Sequence, residues 1–147
     1  MLSEDFRDFL RLLNEHGVRY LVVGAFAVAV HGYPRNTGDI DIWIERTPEN
    51  ARKMIAVLKD FGFGSLNLTD SDFLQPDQVI QLGFPPNRID LLTDVSGGSF
   101  EICYPERIEK ELDGVTVAFV GRDCLQRIKK ASARSQDLAD LENLGLL

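Results

Sequence analysis

Two aspartates, Asp39 and Asp41, stand two residues apart in the segment Asp-Ile-Asp-Ile-Trp-Ile-Glu, in which polar and apolar residues alternate. This alternation predicts a β-strand with one polar and one apolar face, so both carboxylates project from the same face. Two like charges held together are unfavourable unless a cation or a proton neutralises one of them. The pair therefore predicts either a shared divalent cation or a solvated strand edge, because so short a motif also recurs by chance.

Two further residues favour the metal interpretation. Gly24 ends the apolar run 20–23 and begins an Ala-rich stretch, and such a strand-to-helix turn presents backbone N–H groups that bind phosphate. Asp90 lies in Arg-Ile-Asp-Leu-Leu, another predicted strand, on the face opposite Ile89 and Leu91. Three acids and a phosphate-binding turn are the parts that metal-assisted phosphoryl transfer requires.

The elements that position these residues are predicted from hydrophobic spacing and capping residues. Ser3 as N-cap predicts a first helix that ends at His16 and Gly17, and Thr47-Pro48-Glu49 opens a helix that runs to about residue 61. Further predicted helices are 25–31, 121–133 and 136–144, and the predicted strands are 19–23, 39–45, 79–82, 88–92 and 115–120. The predicted class is therefore α/β (α+β), a mixed sheet with helices packed against it.

Length and charge restrict the function further. The chain has 147 residues, with 16 Lys and Arg against 23 Asp and Glu and a net charge of −7, so we expect one domain over 1–147 without bulk affinity for nucleic acid. The longest apolar run, 20–30, is too short to cross a membrane, and no export signal is visible, so a cytoplasmic protein is expected. Cys103 and Cys124 have no metal-site spacing and are expected to be reduced packing residues.

Several side chains near these motifs have two interpretations. Trp43 shares the acid-bearing face of its strand and is predicted either to stack on a nucleobase or to pack under a loop. Arg88 shares a face with Asp90 and is predicted to orient or neutralise it. His31 is expected to be a hydrogen-bonded structural residue. A basic cluster is either a phosphate site or the solvated face of a helix: Arg122, Arg127, Lys129, Lys130 and Arg134.

The order of these motifs resembles a known pattern. Gly24-Ala25, a spacer, Asp39-Ile-Asp41-Ile and the distant Asp90 are similar to the polymerase-beta-type nucleotidyltransferase superfamily, which has glycine followed by glycine or serine, a double acid and a third acid. More closely, three segments resemble small bacterial nucleotidyltransferase-like proteins grouped with abortive-infection toxins: 23–41, 86–93 and 129–141. The similarity spans nearly the whole chain.

The resemblance implies a nucleotidyltransferase fold closed by C-terminal helices. It also implies Mg²⁺ (or Mn²⁺) on Asp39, Asp41 and Asp90, with a nucleoside triphosphate as donor substrate. The turn at Gly24 and Ala25 would lie near the triphosphate, and Ala25 in place of the usual glycine or serine leaves only its backbone amide for phosphate. The other residues implied at the pocket are Arg35 and Thr37 at its border, and Lys129 and Arg134 reaching it from the C-terminal helices.

The sequence therefore predicts an Mg²⁺-dependent transfer of a nucleoside monophosphate to an unidentified acceptor. The acceptors that the resemblance implies are an RNA 3′ end, a protein hydroxyl or a small molecule, and a toxin or antitoxin partner protein could supply acceptor contacts. The alternative, motivated by Ala25, is a catalytically weak or inactive module of the same fold that binds nucleotide or protein. A metal phosphohydrolase is a weaker alternative, since the usual His-Asp spacing is lacking.

Overall fold

The computed structural model of the chain, which describes residues 2–34 and 38–147, is built on a six-stranded mixed sheet. Its strands are β1 (Tyr20–Val23), β2 (Ile40–Ile44), β3 (Val79–Leu82), β4 (Ile89–Leu92), β5 (Ile108–Leu112) and β6 (Val115–Phe119). The α-helices are α1 (Glu4–Glu15), α2 (Gly24–Val30), α3 (Pro48–Asp60), α4 (Phe100–Cys103), α5 (Arg122–Ser132) and α6 (Ser135–Leu144). The predicted class, a mixed sheet with helices packed against it, is confirmed.

The strand order is β3-β4-β2-β1-β6-β5. β2 lies near the centre, antiparallel to β1 and parallel to β4, and the register places Asp41 beside Asp90. β1 is parallel to β6, while the outer pairs β3–β4 and β5–β6 are antiparallel. β3 and β5 are therefore the two edge strands.

The helix boundaries follow the capping residues that the sequence predicts. Ser3 Oγ accepts a hydrogen bond from the Phe6 N–H at the start of α1, and Thr47 Oγ1 accepts one from the Asn50 N–H at the start of α3. Both helices turn an apolar face to the core, where Phe9 and Leu13 are fully buried. Burying each such side chain contributes about 1.5–3 kcal/mol to stability.

Two elements were not predicted. β5 reads Ile-Glu-Lys-Glu-Leu, and its three central residues are charged and exposed, so the segment lacks the apolar content that marks a strand. α4 is a single turn of four residues, too short to show helical periodicity. Between α3 and β3, where a loop was predicted, the chain forms two 3₁₀ turns, Gly64–Leu66 and Asp70–Phe73.

The expectation that Cys103 and Cys124 are reduced is wrong: the two form a disulfide, with their Cα atoms 5.9 Å apart. Cys103 ends α4, Cys124 lies in the first turn of α5, and both are fully buried. They are 21 residues apart along the chain, and only the packing of α4 on α5 brings them together. Nothing in their spacing could reveal this contact.

No helix within residues 2–34 and 38–147 combines the length and the apolar character that a membrane span requires.

Candidate active site

The candidate site is centred on two neighbouring strands that place carboxylates side by side. β2 and β4 run parallel with Asp41 opposite Asp90, and the flanking Ile40 and Ile42 are buried on the other face of the sheet. Adjacent strands lie about 4.8 Å apart, so the two aspartates are immediate neighbours on one face. Asp39 precedes β2 with the same side-chain parity, which brings the predicted acids to one region of the sheet.

Arg88 connects two of these acids. Its Nε donates to Asp90 Oδ1 at 2.7 Å, and its Nη2 donates to Asp90 Oδ2 at 3.0 Å and to Asp39 Oδ2 at 2.9 Å. A fork of this kind orients a carboxylate as well as neutralising it. The hydrogen bond with Asp90 raises the pKa of Arg88 above its ordinary value. Arg88 thus orients and neutralises Asp90, as predicted from strand parity, and it also pairs with Asp39.

Asp41 has a different environment. Burial, followed by the neighbouring charges of Asp90 and Asp39, raises its pKa from 3.8 to about 6. Its carboxylate packs directly against Gly24, whose backbone has a φ of +70°, and a Cβ at Gly24 would overlap the Asp41 Oδ2 atom. Glycine is therefore required at this turn for two reasons, the left-handed backbone and the space that the Asp41 carboxylate occupies.

Gly24, Asp41 and Asp90, but not Asp39 or Arg88, line a cavity of about 340 Å³ between the sheet and the C-terminal helices. Its polar part is formed by Gly24, Asp41, Asp90 and residues of α5 and α6, and its apolar part includes Val79, Leu92, Val95 and Ile128. The loop between β4 and α4 closes one side against α5, where a Cβ at Gly97 would lie 2.8 Å from the Arg127 carbonyl oxygen. The size is within the range of small-molecule sites.

Lys129 lies at the cavity wall, where the resemblance implies it, but its ammonium group is engaged in ion pairs. Nζ lies 3.1 Å from Asp137 Oδ1 and 3.0 Å from Asp140 Oδ2, and the side chains of all three residues are buried. This buried ion cluster is not predicted from the sequence. The signal that could have revealed it is the spacing of Asp137 and Asp140, three apart on one face of α6, where that helix packs on α5.

Arg134 also lines the cavity, and it joins the same cluster at its exposed end. Its Nε donates to Asp137 Oδ2 at 2.8 Å, while its own side chain is 77% exposed. Burial raises the pKa of Asp137, but hydrogen bonds from Arg134, Lys129 and Ser132 outweigh burial and hold that pKa well below its usual range. Asp137 is therefore a stable carboxylate that anchors the buried Lys129 in the cavity wall and the exposed Arg134 at its rim.

The contacts of the other residues singled out in the sequence bear on their predicted roles. Trp43 is 2% exposed and makes an edge-to-face contact with Phe100, which supports the packing interpretation rather than base stacking. His31 is hydrogen-bonded through Nε2 to the Val120 carbonyl oxygen at 2.8 Å, as expected for a structural histidine. Ala25 is the second residue of α2, and the N-cap Val23 provides no side-chain hydrogen bond to that helix. Arg35 and Thr37 lie outside the described residues.

The chemistry of Asp39, Asp41 and Asp90 suits a divalent cation, but their side chains are not arranged as a metal-binding cluster. Carboxylate oxygens are the ligands that Mg²⁺ and Mn²⁺ prefer. Burial, followed by repulsion from Asp90 and Asp39, raises the pKa of Asp41, so a cation beside this carboxylate would be favourable. Across residues 2–34 and 38–147, however, no three His, Cys, Asp or Glu side chains are arranged to hold a metal ion together. The geometry gives a reason, since Arg88 occupies oxygens of both Asp39 and Asp90.

The six-stranded mixed sheet with helices packed against it matches the fold of solved nucleotidyltransferase structures. Among solved structures, the chain is similar to a candidate nucleotidyltransferase from Thermotoga maritima (TM-score 0.58, 16% identity, 95% of this chain and 88% of that chain). It is equally similar in fold to the lincosamide antibiotic adenylyltransferase LnuA in its lincomycin-bound form (TM-score 0.58, 13% identity, 100% and 99%).

A third similar structure is an antigenic nucleotidyltransferase-like protein from Paracoccidioides brasiliensis (TM-score 0.53, 16% identity, 99% of this chain and 76% of that chain). No protein-family model matches this chain, and no curated protein is significantly similar to it in sequence. At these identities the similarity establishes the fold alone.

Proposed function

We propose that this chain is a divalent-metal-dependent nucleotidyltransferase that moves a nucleoside monophosphate from a nucleoside triphosphate to a hydroxyl acceptor and releases pyrophosphate. The observation that carries the proposal is the register of β2 and β4, which places Asp41 beside Asp90 on the wall of a cavity of about 340 Å³. The nucleotidyltransferase fold supports it, because the similar structures include an adenylyltransferase.

Asp39, Asp41 and Asp90 would hold Mg²⁺ or Mn²⁺. When bound, the metal would supply positive charge that offsets the charge of the triphosphate and of the transferring phosphoryl group. For these acids to serve as ligands, Arg88 has to release oxygens of Asp39 and Asp90 that it now binds at 2.9 and 2.7 Å. A cation on Asp41 would also lower the pKa of that carboxyl group, because it offsets the repulsion from Asp90 and Asp39.

The chain's own residues supply the remaining functions. Gly24 brings the backbone of the turn next to Asp41, within reach of a phosphate that shares the cavity. Asp90, whose carboxylate Arg88 now binds, would take the proton of an attacking hydroxyl once Arg88 has moved. Arg134, exposed at the rim, would bind phosphate oxygens, and Lys129 would orient Arg134 indirectly through the Asp137 carboxylate that both contact.

A second candidate function is a module that binds nucleotide or protein without catalysis. The observation in its favour is that four acids at or near the cavity, other than Asp41, are already paired with cationic side chains. Arg88 spans Asp39 and Asp90, and Lys129 spans Asp137 and Asp140. For the transferase, the proposed acceptors are an RNA 3′ end, a protein hydroxyl or a small molecule. Any nucleoside triphosphate is a candidate donor, and a toxin or antitoxin protein is a candidate partner.

The test is a transfer assay with each α-labelled nucleoside triphosphate, Mg²⁺ or Mn²⁺, total RNA and cell lysate. If the chain is a transferase, label should appear on an acceptor and pyrophosphate should be released. Asp41→Asn should lower both products by at least about 100-fold. Glu111→Gln is the matched control, because it removes one exposed carboxylate from β5, outside the cavity. Nucleotide binding that needs metal and Asp41, without transfer to any component, would support the binding module instead.

A further inference from the structure

The two edges of the sheet differ in how they are protected. β5 carries Glu109, Lys110 and Glu111, all exposed, and charged residues of this kind discourage the addition of another strand. β3 has the sequence Val-Ile-Gln-Leu with no charge, and Val79 is 56% exposed. Phe84, just after the strand, is 87% exposed. The β3 edge therefore lacks the usual protection against strand pairing.

The ladder with β4 determines which backbone groups of β3 point outward. The Thr93 N–H donates to the Gln78 carbonyl at 3.0 Å, which makes Gln78 and Thr93 a hydrogen-bonded antiparallel pair. Hydrogen-bonded and non-hydrogen-bonded pairs alternate, so Ile80 and Leu82 bond to β4, while Val79 and Gln81 direct their N–H and C=O groups away from it. The outer edge thus offers four backbone groups to another strand.

The charge around the β3 edge determines which kind of segment could pair with it. Residues 60–87 contain no Lys or Arg, and they include Asp60, Asp70, Asp72 and Asp77. In the described part of the chain, no salt bridge involves Asp70, Asp72 or Asp77. A second copy would bring the same acidic segment and a further charge of −7, which disfavours self-pairing. A basic segment would be attracted.

We propose that the β3 edge is a docking site for an extended segment of another protein, with β-branched or apolar residues at alternate positions and Lys or Arg at its ends. The segment adds as a seventh strand, and its main chain bonds to Val79 and Gln81. Its side chains on one face lie beside Val79, a residue of the cavity wall, so the docked segment extends that wall. Docking requires neither metal nor nucleotide and is independent of the transfer reaction.

The experiment uses the full chain labelled with ¹⁵N and the blocked peptide acetyl-Lys-Val-Thr-Val-Thr-Val-Lys-amide as the probe. Titration is expected to shift the amide resonances of Val79 and Gln81 more than those of β5. A peptide with two N-methylated central amides is expected to bind at least about tenfold more weakly, because it lacks donors for the β3 carbonyls. A peptide with Glu in place of both Lys residues should bind more weakly still at low salt.

Variants of β3 provide a second measure. Gln81→Pro removes an outward N–H without touching the ladder to β4, and Val79→Lys adds the kind of charge that protects β5. Both are expected to weaken binding about tenfold, whereas Val79→Thr, of similar shape and strand propensity, should bind the probe within about twofold of wild type.

Three results would overturn the proposal. The first is a set of shifts that maps away from β3, and the second is equal binding of the N-methylated probe. The third is a dimer, detected by sedimentation, that Val79→Lys dissociates, since that result would assign the edge to a second copy of this chain.

Discussion

At the scale of single residues, the contact between Gly24 and Asp41 controls the geometry of the cavity. Gly24 adopts a φ of +70°, and the Asp41 carboxylate occupies the space that a Cβ would need. Any side chain at position 24 must therefore displace the carboxylate or change the turn. The acid proposed as a metal ligand and the turn proposed to bind phosphate are therefore in direct contact, and neither can move without affecting the other.

Gly24→Ala is expected to lower the free energy of unfolding by at least about 2 kcal/mol more than Gly145→Ala does. Gly145 is the matched control because its φ is +72° and a Cβ there would meet nothing within 4 Å, so it has the backbone cost without the overlap. Urea unfolding of both variants measures the difference. Equal losses would show that Asp41 adapts to a side chain at position 24 without cost.

The ionisation of Asp41 makes a second prediction at this scale. Burial and the charges of Asp90 and Asp39 give Asp41 a pKa of about 6 in the folded chain, against 3.8 ordinarily. Between these values the folded state holds a proton that the unfolded state has lost, so stability falls as pH rises through this range and stays lower above it. Without metal, the Asp41 carboxylate therefore destabilises the protein at neutral pH.

Asp41→Asn is expected to raise the free energy of unfolding at pH 7.5 in EDTA by about 1–3 kcal/mol, and the gain should nearly vanish near pH 4. Urea unfolding across this pH range measures it. Glu111→Gln, with the same change in net charge on an exposed strand, should show no such gain. An Asp41→Asn variant no more stable than wild type at pH 7.5 would contradict the prediction.

At the scale of elements, α5 and α6 are joined by a buried ion cluster. Lys129 contributes the only ammonium group that contacts both Asp137 and Asp140 among the described residues, at 3.1 and 3.0 Å. Removal of one member of such a cluster leaves buried charge without compensation. The packing of the two helices over the cavity therefore depends on this lysine.

Lys129→Met is expected to cost about 3–5 kcal/mol of stability, because two buried carboxylates lose their shared cation. Lys130→Met, at the adjacent and exposed position, is expected to change stability by no more than about 0.5 kcal/mol. Thermal and urea unfolding at pH 7 compare the two variants. A loss below about 1 kcal/mol in Lys129→Met would indicate that water or Arg134 compensates both acids.

The sequence predicts those helices and strands whose capping residues or hydrophobic pattern lie within the segment itself. β3 is predicted with its observed bounds, and α1 is predicted from its Ser3 cap and apolar spacing. β5 is missed because its central residues are charged, as suits an edge strand, and therefore lack the apolar content by which a strand is recognised. The disulfide is missed because the contact between α4 and α5 that creates it is tertiary.

The same distinction applies to the site. Alternation places Asp39 and Asp41 on one face of β2, and parity places Arg88 with Asp90. The bridge from Arg88 to Asp39 arises only from the parallel register of β2 and β4, which no local pattern specifies. The pairing of Lys129 likewise depends on how α6 packs on α5.

At the scale of the whole molecule, the disulfide links the helix that follows the cavity loop to the helix that closes the cavity. Cys103 and Cys124 are 21 positions apart in the sequence, and the loop that they close contains β5 and β6. Closing a loop of this length in the unfolded chain stabilises the folded state by about 3 kcal/mol. Part of the stability of the cavity thus depends on the oxidation state of these sulfurs.

Reduction of the disulfide is expected to lower the free energy of unfolding by about 2–4 kcal/mol. Urea unfolding with and without a thiol reductant measures the loss. The double variant Cys103→Ala, Cys124→Ala serves as control and should be insensitive to the reductant. A wild-type protein whose stability changes by less than about 1 kcal/mol on reduction would contradict the prediction.

The same covalent loop determines how the molecule transmits force. When the termini are pulled apart, tension passes through the sulfur bridge, and the segment between the two cysteines does not extend. The oxidised chain should therefore be shorter at full extension than the reduced chain by roughly 65–70 Å. Single-molecule stretching would record this difference, and the hairpin of β5 and β6 would remain slack after the rest of the chain has extended.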